Sequence, residues 1–469
     1  PNYKILLDQA AMLRRDLAAL PLVQDNAEKT KKQGQAMALL MDVGRKQEMV
    51  MREIAVRRDP AAIAFPPLKT TAEIQKSLPP GHALLDFFAT SRNLYAFLIS
   101  RDKYANWKVV STPQVLARQS ATLLREFGNI SPNYELTPKD LADGKWQRTA
   151  QELLNGLLKG SRADFATKFD ELIIVPDGVL WYVPFEALQV QADGQLRPLI
   201  SRFRIRYAPT AGLATATVGL GRRHGNTAIV VGKLNAKLDE ESVESTVKDL
   251  SKALPGCVTL KMPLPASAPI YASFIDRLLV FDDLSAAAET DPYGWSPLPT
   301  ERTKTSGPLS EWFLLPRRGP DEVILPGYHS ASESPMKKID AARRAGRGAA
   351  DTLEPGNEIF LSLCGLMSTG TRTILISRWR SGGQTSLDLV REFTQELPHT
   401  TPSDAWQRAV QVVSNSALNS EAEPRIKKSS TGDQADGAAH RATHPFFWAG
   451  YLLADSGSTA LQPKPKPAK

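Results

Sequence analysis

The sequence predicts an α/β protein built on a parallel, doubly wound sheet and led by a pair of helices. Three observations predict it. The first 57 residues carry apolar side chains at helical spacing, with charge on the other faces. Short apolar runs such as Leu172-Ile173-Ile174-Val175 and Val323-Ile324-Leu325 stop at Pro, as buried strands bounded by turn residues do. In the second half such runs alternate with helical stretches, the pattern of βαβ units.

The totals bound the answer. A chain of 469 residues is too long for one ordinary core, so two or three domains are expected. Hydrophobic residues at 42% and charged residues at 23% place it among globular proteins rather than disordered or fibrous ones. No apolar run approaches the roughly 20 residues that a membrane-spanning helix needs. The formal net charge of +8 fits an acidic partner such as nucleic acid, or merely a surface with slightly more Lys and Arg than Asp and Glu. The basic residues are spread along the chain and form no stripe interleaved with aromatics, so nucleic acid is weakly supported. Two cysteines, Cys257 and Cys364, make neither a disulfide framework nor a paired metal site. The expected compartment is the cytoplasm. The chain begins at Pro1 rather than Met, which leaves export open, since a signal peptide would lie upstream.

Taken in order, Leu6, Ala10, Leu13, Leu17 and Leu20 make one apolar stripe, and Met37, Leu40, Val43 and Ile54 a second. They predict a helical hairpin over 1–58, joined near Pro21 to Asp25. Its apolar surface exceeds what two helices cover between themselves, so it packs on the next domain or closes a helical array. "DPAAIAFPPLKTT" (59–71) is a Pro-rich boundary. A short helix, a turn at Pro79-Pro80-Gly81 and a hairpin of strands at 83–88 and 94–100 come after it. Residues 114–160 read as helical. A strand over 171–175, a Pro-Asp-Gly turn at 176–178 and a second short strand ending at Pro184 come next. Then come a strand (227–231), a helix (239–254), a strand (278–281) and a Pro/Ser/Thr-rich loop (about 285–310). After them stand a strand (323–325), an Arg/Ala/Gly-rich loop, a helix (357–370), a strand (373–377) and a helix (385–397). Residues 418–443 are polar and poor in apolar anchors, which predicts a mobile segment. "HPFFWAGYLLAD" (444–455) returns to the core as a closing strand, and "QPKPKPAK" is a basic, Pro-rich tail.

Four stretches resemble, in order, the CHAT domain, the caspase-like module associated with TPR repeats in bacteria. "LIIVPDGVLWYVPFEAL" (172–188) resembles its strand–Pro-Asp-Gly–strand signature. "RIRYAPTAG" (204–212) resembles the turn after that signature. "ILISRWRSGG" (374–383) resembles its strand ending in Ser-x-Trp, and "HPFFWAGYLLADSG" (444–457) its closing strand. The resemblance covers about residues 70–457. It implies a caspase-like parallel-sheet sandwich in two lobes, 70–218 and 219–457, preceded by the N-terminal α-helical hairpin and trailed by a tail over 458–469. It also implies kinship with caspases and separase, and a His–Cys dyad in the second lobe.

In such a dyad the thiolate attacks and the imidazole takes and returns the proton. Here the first strand of the pair reads "RLLVFDDLSA" (277–286), and Leu284-Ser285 stand where the resemblance implies His-Gly. The second reads "DEVILPGYHSA" (321–331), and Pro326-Gly327-Tyr328 stand where it implies Ser-Ala-Cys. The separation of Leu284 and Tyr328 is near the His-to-Cys spacing of about 50 residues in caspases. A leucine and a phenol cannot replace an imidazole and a thiolate. The expected reading is therefore a pseudoprotease with no catalytic residue, cofactor or metal, acting as a scaffold or interaction subunit. Its partner, a protein or a second copy, would dock through the N-terminal helices.

Asp282, Asp283 and His329 are candidates for a polar cluster or cation site at the former cleft, although hydrated loop carboxylates and a structural His–polar contact explain them as well. Cys364 reads as a small core hydrophobe on the helix after the second strand, packed away from the cleft. "GLGRRHGNT" (219–227) precedes a strand, whereas a dinucleotide loop comes after one. Two other functions stay open. One is an active cysteine endopeptidase with a displaced dyad, and the other a basic subunit of a nucleic-acid-associated defence complex. If the two strands are neighbours, Leu284 and Tyr328 emerge side by side, with the Tyr328 ring over the cleft and its hydroxyl on a polar partner.

Overall fold

Eleven strands form one sheet in a computed structural model of the chain. The structure describes residues 2–18, 27–56, 69–128, 135–161, 169–215, 225–234, 240–262, 264, 272–286, 293–298, 307–312, 319–330, 355–379, 383–427 and 441–458, except positions 91, 193, 255 and 424.

The N-terminal hairpin is α1 (Asn2–Ala18) and α2 (Ala27–Val56). The two apolar stripes meet: Ala10, Leu17, Leu40 and Val43 are buried together, with Leu6, Leu13 and Met37 against them. Phe274, from the second half of the chain, joins this cluster. Leu20 and the side chain of Ile54 lie outside the described residues.

α3 (Thr71–Ser77) begins with a capping box, in which Thr70 accepts from the Glu73 N–H and Glu73 accepts from the Thr70 N–H. β1 (His82–Ala89) and β2 (Leu94–Ser100) then pair antiparallel, as the alternating sequence predicts, and β3 (Tyr104–Lys108) extends the meander. The next helical stretch is three helices: α4 (Pro113–Glu126), α5 (Pro138–Ala142) and α6 (Lys145–Leu158). Thr112 and Thr137 cap the first two, each with Pro at the start of the helix, where a missing N–H costs nothing. β4 (Glu171–Val175) is parallel to β1. The expected second strand ending at Pro184 is instead two 3-10 turns, Gly178–Tyr182 and Phe185–Ala187. They bury Val179, Leu180, Trp181, Tyr182 and Phe185 all round, which a two-faced strand pattern did not anticipate. β5 (Gln189–Ala192) and β6 (Gln195–Pro198) form a small hairpin apart from the main sheet, and β7 (Arg204–Tyr207) returns to it beside β4.

The second half supplies β8 (Thr227–Val231), α7 (Glu240–Ala253), β9 (Cys257–Lys261) and β10 (Arg277–Phe281). β11 (Leu284–Ser285), α8 (Leu309–Trp312), β12 (Glu322–Leu325) and β13 (Tyr328–His329) come next. The chain then forms α9 (Asn357–Ser368), β14 (Thr373–Ser377), α10 (Gln384–Glu396), α11 (Pro402–Ser414) and β15 (Tyr451–Asp455).

Across the sheet the order is β3-β2-β1-β4-β7-β15-β14-β12-β10-β8-β9. β1, β4, β7 and β15 run parallel, as do β14, β12, β10, β8 and β9. β14 and β15 pair antiparallel, so the two blocks run in opposite directions. The sheet is therefore largely parallel, as the sequence predicts, with antiparallel pairing in the β1–β3 meander, where a hairpin was expected, and at the seam. The closing segment is the strand at that seam.

Buried charge ties the seam together. Arg378, at the end of β14, is fully buried. Its Nη2 donates to Glu186 Oε2 at 3.3 Å, and its Nη1 donates to the Ala449 carbonyl at 3.2 Å and to that of Tyr451. The guanidinium lies 4.9 Å from the centroid of the Tyr207 ring, and the Tyr207 hydroxyl donates to the same Glu186 oxygen at 2.7 Å. Farther along, Arg206 of β7 donates to Glu171 Oε1 at 2.7 Å and to the Asp455 carbonyl at 2.6 Å. Burial raises the Glu171 carboxyl, but Arg206 and His82 outweigh it and hold the group below its usual range.

The segment expected to be mobile is anchored in its first part. Glu423 is buried and accepts from the Thr385 N–H at 2.8 Å and the Thr385 hydroxyl at 2.6 Å, at the start of α10. Ile426 is buried and bridges Leu136, and the Arg425 guanidinium lies over the Phe446 ring. Residues 428–440 of the same segment, and the tail beyond 458, lie outside the described residues.

These buried charges lead to two expected outcomes. Arg378→Met leaves Glu186 buried without its cation and should cost about 3–5 kcal/mol in urea unfolding. Adding Glu186→Gln should recover part of that loss, whereas an unchanged deficit would show that the cation is not what the seam needs. Glu423 is pushed up from 4.5 to about 7 by burial. A carboxyl raised on folding stabilises fully below its unfolded value and loses that contribution as pH rises through its folded value. Between about pH 4.5 and 7 the protein should lose up to about 3 kcal/mol at this site, at about 1.4 kcal/mol per unit. Glu423→Gln does not ionise, so its melting temperature should gain on the parent's as pH rises from 5 to 8. A gap that stays constant with pH would refute the assignment.

Candidate functional site

The site is built where β10 and β12 end. These strands are parallel neighbours in register, Leu278 beside Val323 and Leu279 beside Ile324. Arg277 and Glu322, paired in the same register, form a buried ion pair at their start. Each chain then leaves the main sheet for a short parallel ribbon. In it Leu284 pairs with Tyr328 and Ser285 with His329.

Gly327 makes the ribbon possible. A Cβ at this position would lie 1.8 Å from the Asp282 carbonyl oxygen and 2.6 Å from Leu234 Cδ1. Only a residue without a side chain lets the turn come so close to the preceding strand. The Gly327 carbonyl in turn accepts from the Leu284 N–H at 3.0 Å. The Pro-Gly break in the sequence is thus the element that sets Tyr328 beside Leu284.

Both residues face inward. Leu284 and Tyr328 belong to the main core. The Tyr328 ring meets the Trp295 ring edge-on at 5.1 Å. Its hydroxyl is 3.0 Å from Ser362 Oγ and 3.5 Å from the Glu358 carbonyl, both on α9. Burial raises the phenol well above its ordinary range. A neutral, buried phenol beside a leucine offers neither a nucleophile nor a base at neutral pH.

The polar candidates separate. His329 Nε2 is 2.9 Å from Asp283 Oδ1, half-buried on the other face of the ribbon. Asp282 turns elsewhere: its Oδ1 accepts from the Lys233 N–H at 2.9 Å, against Gly232. Asp283 and His329 are therefore a pair, and Asp282 serves the neighbouring β8 turn. Among the described residues no group of three or more His, Cys, Asp or Glu is arranged to hold a metal ion.

Cys364 lies on α9, as the sequence predicts, but it is half-buried rather than packed inward. It stands two positions after Ser362, and 3.6 residues per turn put the two on nearly opposite sides of the helix. Burial pushes its thiol up to about 11, so it is a thiol and not a thiolate at neutral pH. Cys257 sits on β9, with its thiol raised by burial and 3.7 Å from Ser251 Oγ. The face of α9 that meets the ribbon carries Ser362 and the carbonyl of Glu358. Glu358 Oε1 also accepts from the Tyr182 hydroxyl at 2.8 Å. These partners were not singled out in the sequence, where a Ser and a Glu inside an apolar helix carry no spacing that marks a site.

Among solved structures, two crystal structures of the Saccharomyces cerevisiae separase–securin complex, at 3.0 and 2.6 Å, are similar to this chain with a TM-score of 0.46 and 9% identity. Each match covers 81% of this chain and 30% of the other, so this chain spans under a third of that protein. No curated protein matches. Two of the four motif stretches, 172–188 and 204–212, lie within a segment that matches a known family: residues 146–313 match the family model of the CHAT domain, and the chain is CHAT-like over this part.

Proposed function

We propose that the protein is a catalytically inactive, CHAT-like pseudoprotease that works as a scaffold or interaction subunit. The observation that carries this reading is the ribbon pair Leu284–Tyr328, two core side chains at the positions where the family resemblance implies imidazole and thiol. Tyr328 fills the space with its ring and satisfies its hydroxyl on α9, so the position has become packing. Burial raises both thiols, that of Cys364 to about 11, which speaks against a displaced nucleophile. In this reading 70–218 and 219–457 are the two lobes of a shared sheet, the first supplying β1–β4 and β7 and the second the opposite block together with β15, which crosses the seam to lie beside β7. The contact surface is the N-terminal hairpin, where Ile5, Met12, Leu39 and Met41 stay exposed although the inner stripes are buried together. The partner is a protein or a second copy.

Incubation with a mixed peptide library should yield no specific cleavage, and a thiol-reactive substrate-like probe should label neither cysteine faster than a free thiol. Cleavage abolished by Cys364→Ala or Cys257→Ala would overturn the reading and favour a displaced peptidase. Removing residues 1–57 should abolish assembly with the partner, or self-association seen by native mass spectrometry, while circular dichroism of the remainder keeps its α/β signal. Unchanged assembly after the deletion would count against the hairpin as the contact surface.

A further inference from the structure

Among the described residues, one face of the first three strands is only partly covered. Direct cross-strand partners stand on the same side of a sheet. The register therefore puts Phe88, Tyr95 and Lys108 in one row, Asp86, Phe97 and Asn106 in the next, and Leu84, Ile99 and Tyr104 in a third. On the opposite face Leu85, Phe87, Ala96, Leu98 and Trp107 close the main core. On this face α3 covers Leu84 and Ile99, and its cover ends there. Phe88 is 57% exposed and Tyr104 47% exposed. Tyr95 and Phe97 are half-buried between them, and Asn106 and Lys108 are exposed.

Cations border the rings. Lys108 stands in the same row as Phe88 and Tyr95. Exposed Arg92 lies in the β1–β2 turn at one end of the face, and exposed Arg101 and Lys103 lie in the β2–β3 turn at the other. The carboxylates nearby are Asp86 in the middle row, Asp102 in the second turn and Asp177 beside Asp86. Asp177 is engaged with the Ala89 N–H at 2.6 Å. Residues spread over three strands, alternating with core side chains, form no stripe in the sequence, and the register alone gathers them.

We propose that this face is a stacking platform for single-stranded nucleic acid, with bases on Phe88, Tyr95 and Tyr104 and phosphates along Lys108, Arg92, Arg101 and Lys103. Aromatic rings take any base by its π-face, and flanking cations hold the backbone. Sheets with exposed aromatics bind single-stranded RNA in this way. The rows of Phe88 and Tyr104 are four residues apart along the strands, about 13 Å, so the rings receive separate bases. A duplex offers no free base faces and gains only the charge. This inference does not depend on the pseudoprotease reading, since no ring of the platform belongs to the Leu284–Tyr328 ribbon.

Fluorescence anisotropy of the nucleic-acid-free full chain with labelled oligouridylate and oligodeoxythymidylate, each about 16 nucleotides long to fill one such site, tests it. Binding should weaken linearly in log K with log salt. Phe88→Ala and Tyr104→Ala should each lose roughly tenfold in affinity, within the range known for base–aromatic stacking. Lys108→Gln should lower the salt slope by about one. Both ring positions are exposed, and thermal melting should show each variant folded like the parent. Duplex DNA of equal length should bind more weakly. The proposal is overturned by absence of salt-dependent binding, by ring variants that bind as the parent does, or by equal affinity for duplex. It is also overturned if no oligonucleotide binds and sedimentation shows self-association lost in the Phe88→Ala/Tyr104→Ala variant, which would make the face a protein contact.

Discussion

The buried Arg378 guanidinium is the interaction on which the rest of the sheet depends. Two parallel blocks running in opposite directions can share one sheet only if something makes the seam between them specific. The seam strand, β15, is the last strand in sequence, and its pairing with β7 rests on one register pair, Ala454 with Tyr207. Arg378 supplies what the ladder lacks. It binds carbonyls on the approach to β15, the carboxylate of Glu186 and the face of Tyr207, so one cation touches both blocks and the strand between them. A guanidinium in this setting is costly to bury and costly to orphan, and it rejects every register that fails to bring those acceptors to it. Arg206 repeats the device at the other end of β15 by holding the Asp455 carbonyl.

The same logic sets how much of the structure was legible in the sequence. Segments governed by local rules were legible. Apolar runs ended at Pro gave β4 and β12, apolar runs alternating with helical stretches gave β10 and β14, and the Thr-Pro or Thr-x-x-Glu starts mark the helices α3, α4 and α5. The closing strand was legible through its resemblance to a known motif. Elements fixed by burial all round were not. The stretch 178–187 reads as a strand because it is apolar, and it folds as 3-10 turns because every side of it is covered. Glu423 and Ile426 were read as parts of a loose segment, because nothing in a polar stretch announces that one carboxyl will cap a helix 38 residues earlier. Buried charges such as Arg378, Glu186 and Arg206 were invisible for a related reason: a single sequence marks a charge as solvated, and only the fold shows the acceptors waiting for it.

The candidate site divides along the same line. The pairing of Leu284 with Tyr328 could be inferred once β10 and β12 were taken as neighbours, since parallel strands carry equivalent positions side by side. The separation of Asp282 from Asp283 could not, because it depends on where a third strand, β8, presents the Lys233 N–H. Nor could the exposure of Cys364, which depends on which face of α9 meets the ribbon.

A cleft built for chemistry must keep polar groups short of satisfied so that a substrate can complete them, and that is a standing cost to stability. On the β11–β13 ribbon itself the polar side chains have partners, although the indole N–H of the adjacent Trp295 has none among the described residues. The phenol has its acceptor or donor on Ser362, its ring has Trp295, the Leu284 N–H has the Gly327 carbonyl, and His329 has Asp283. The one unusual demand that persists is geometric: Gly327 approaches the Asp282 backbone so closely that no other residue fits. A turn that tight brings two strand ends together more accurately than packing requires. Under the proposed reading it is the inherited part of the site, kept because Tyr328 now uses the same placement to seal the core between α9 and the sheet.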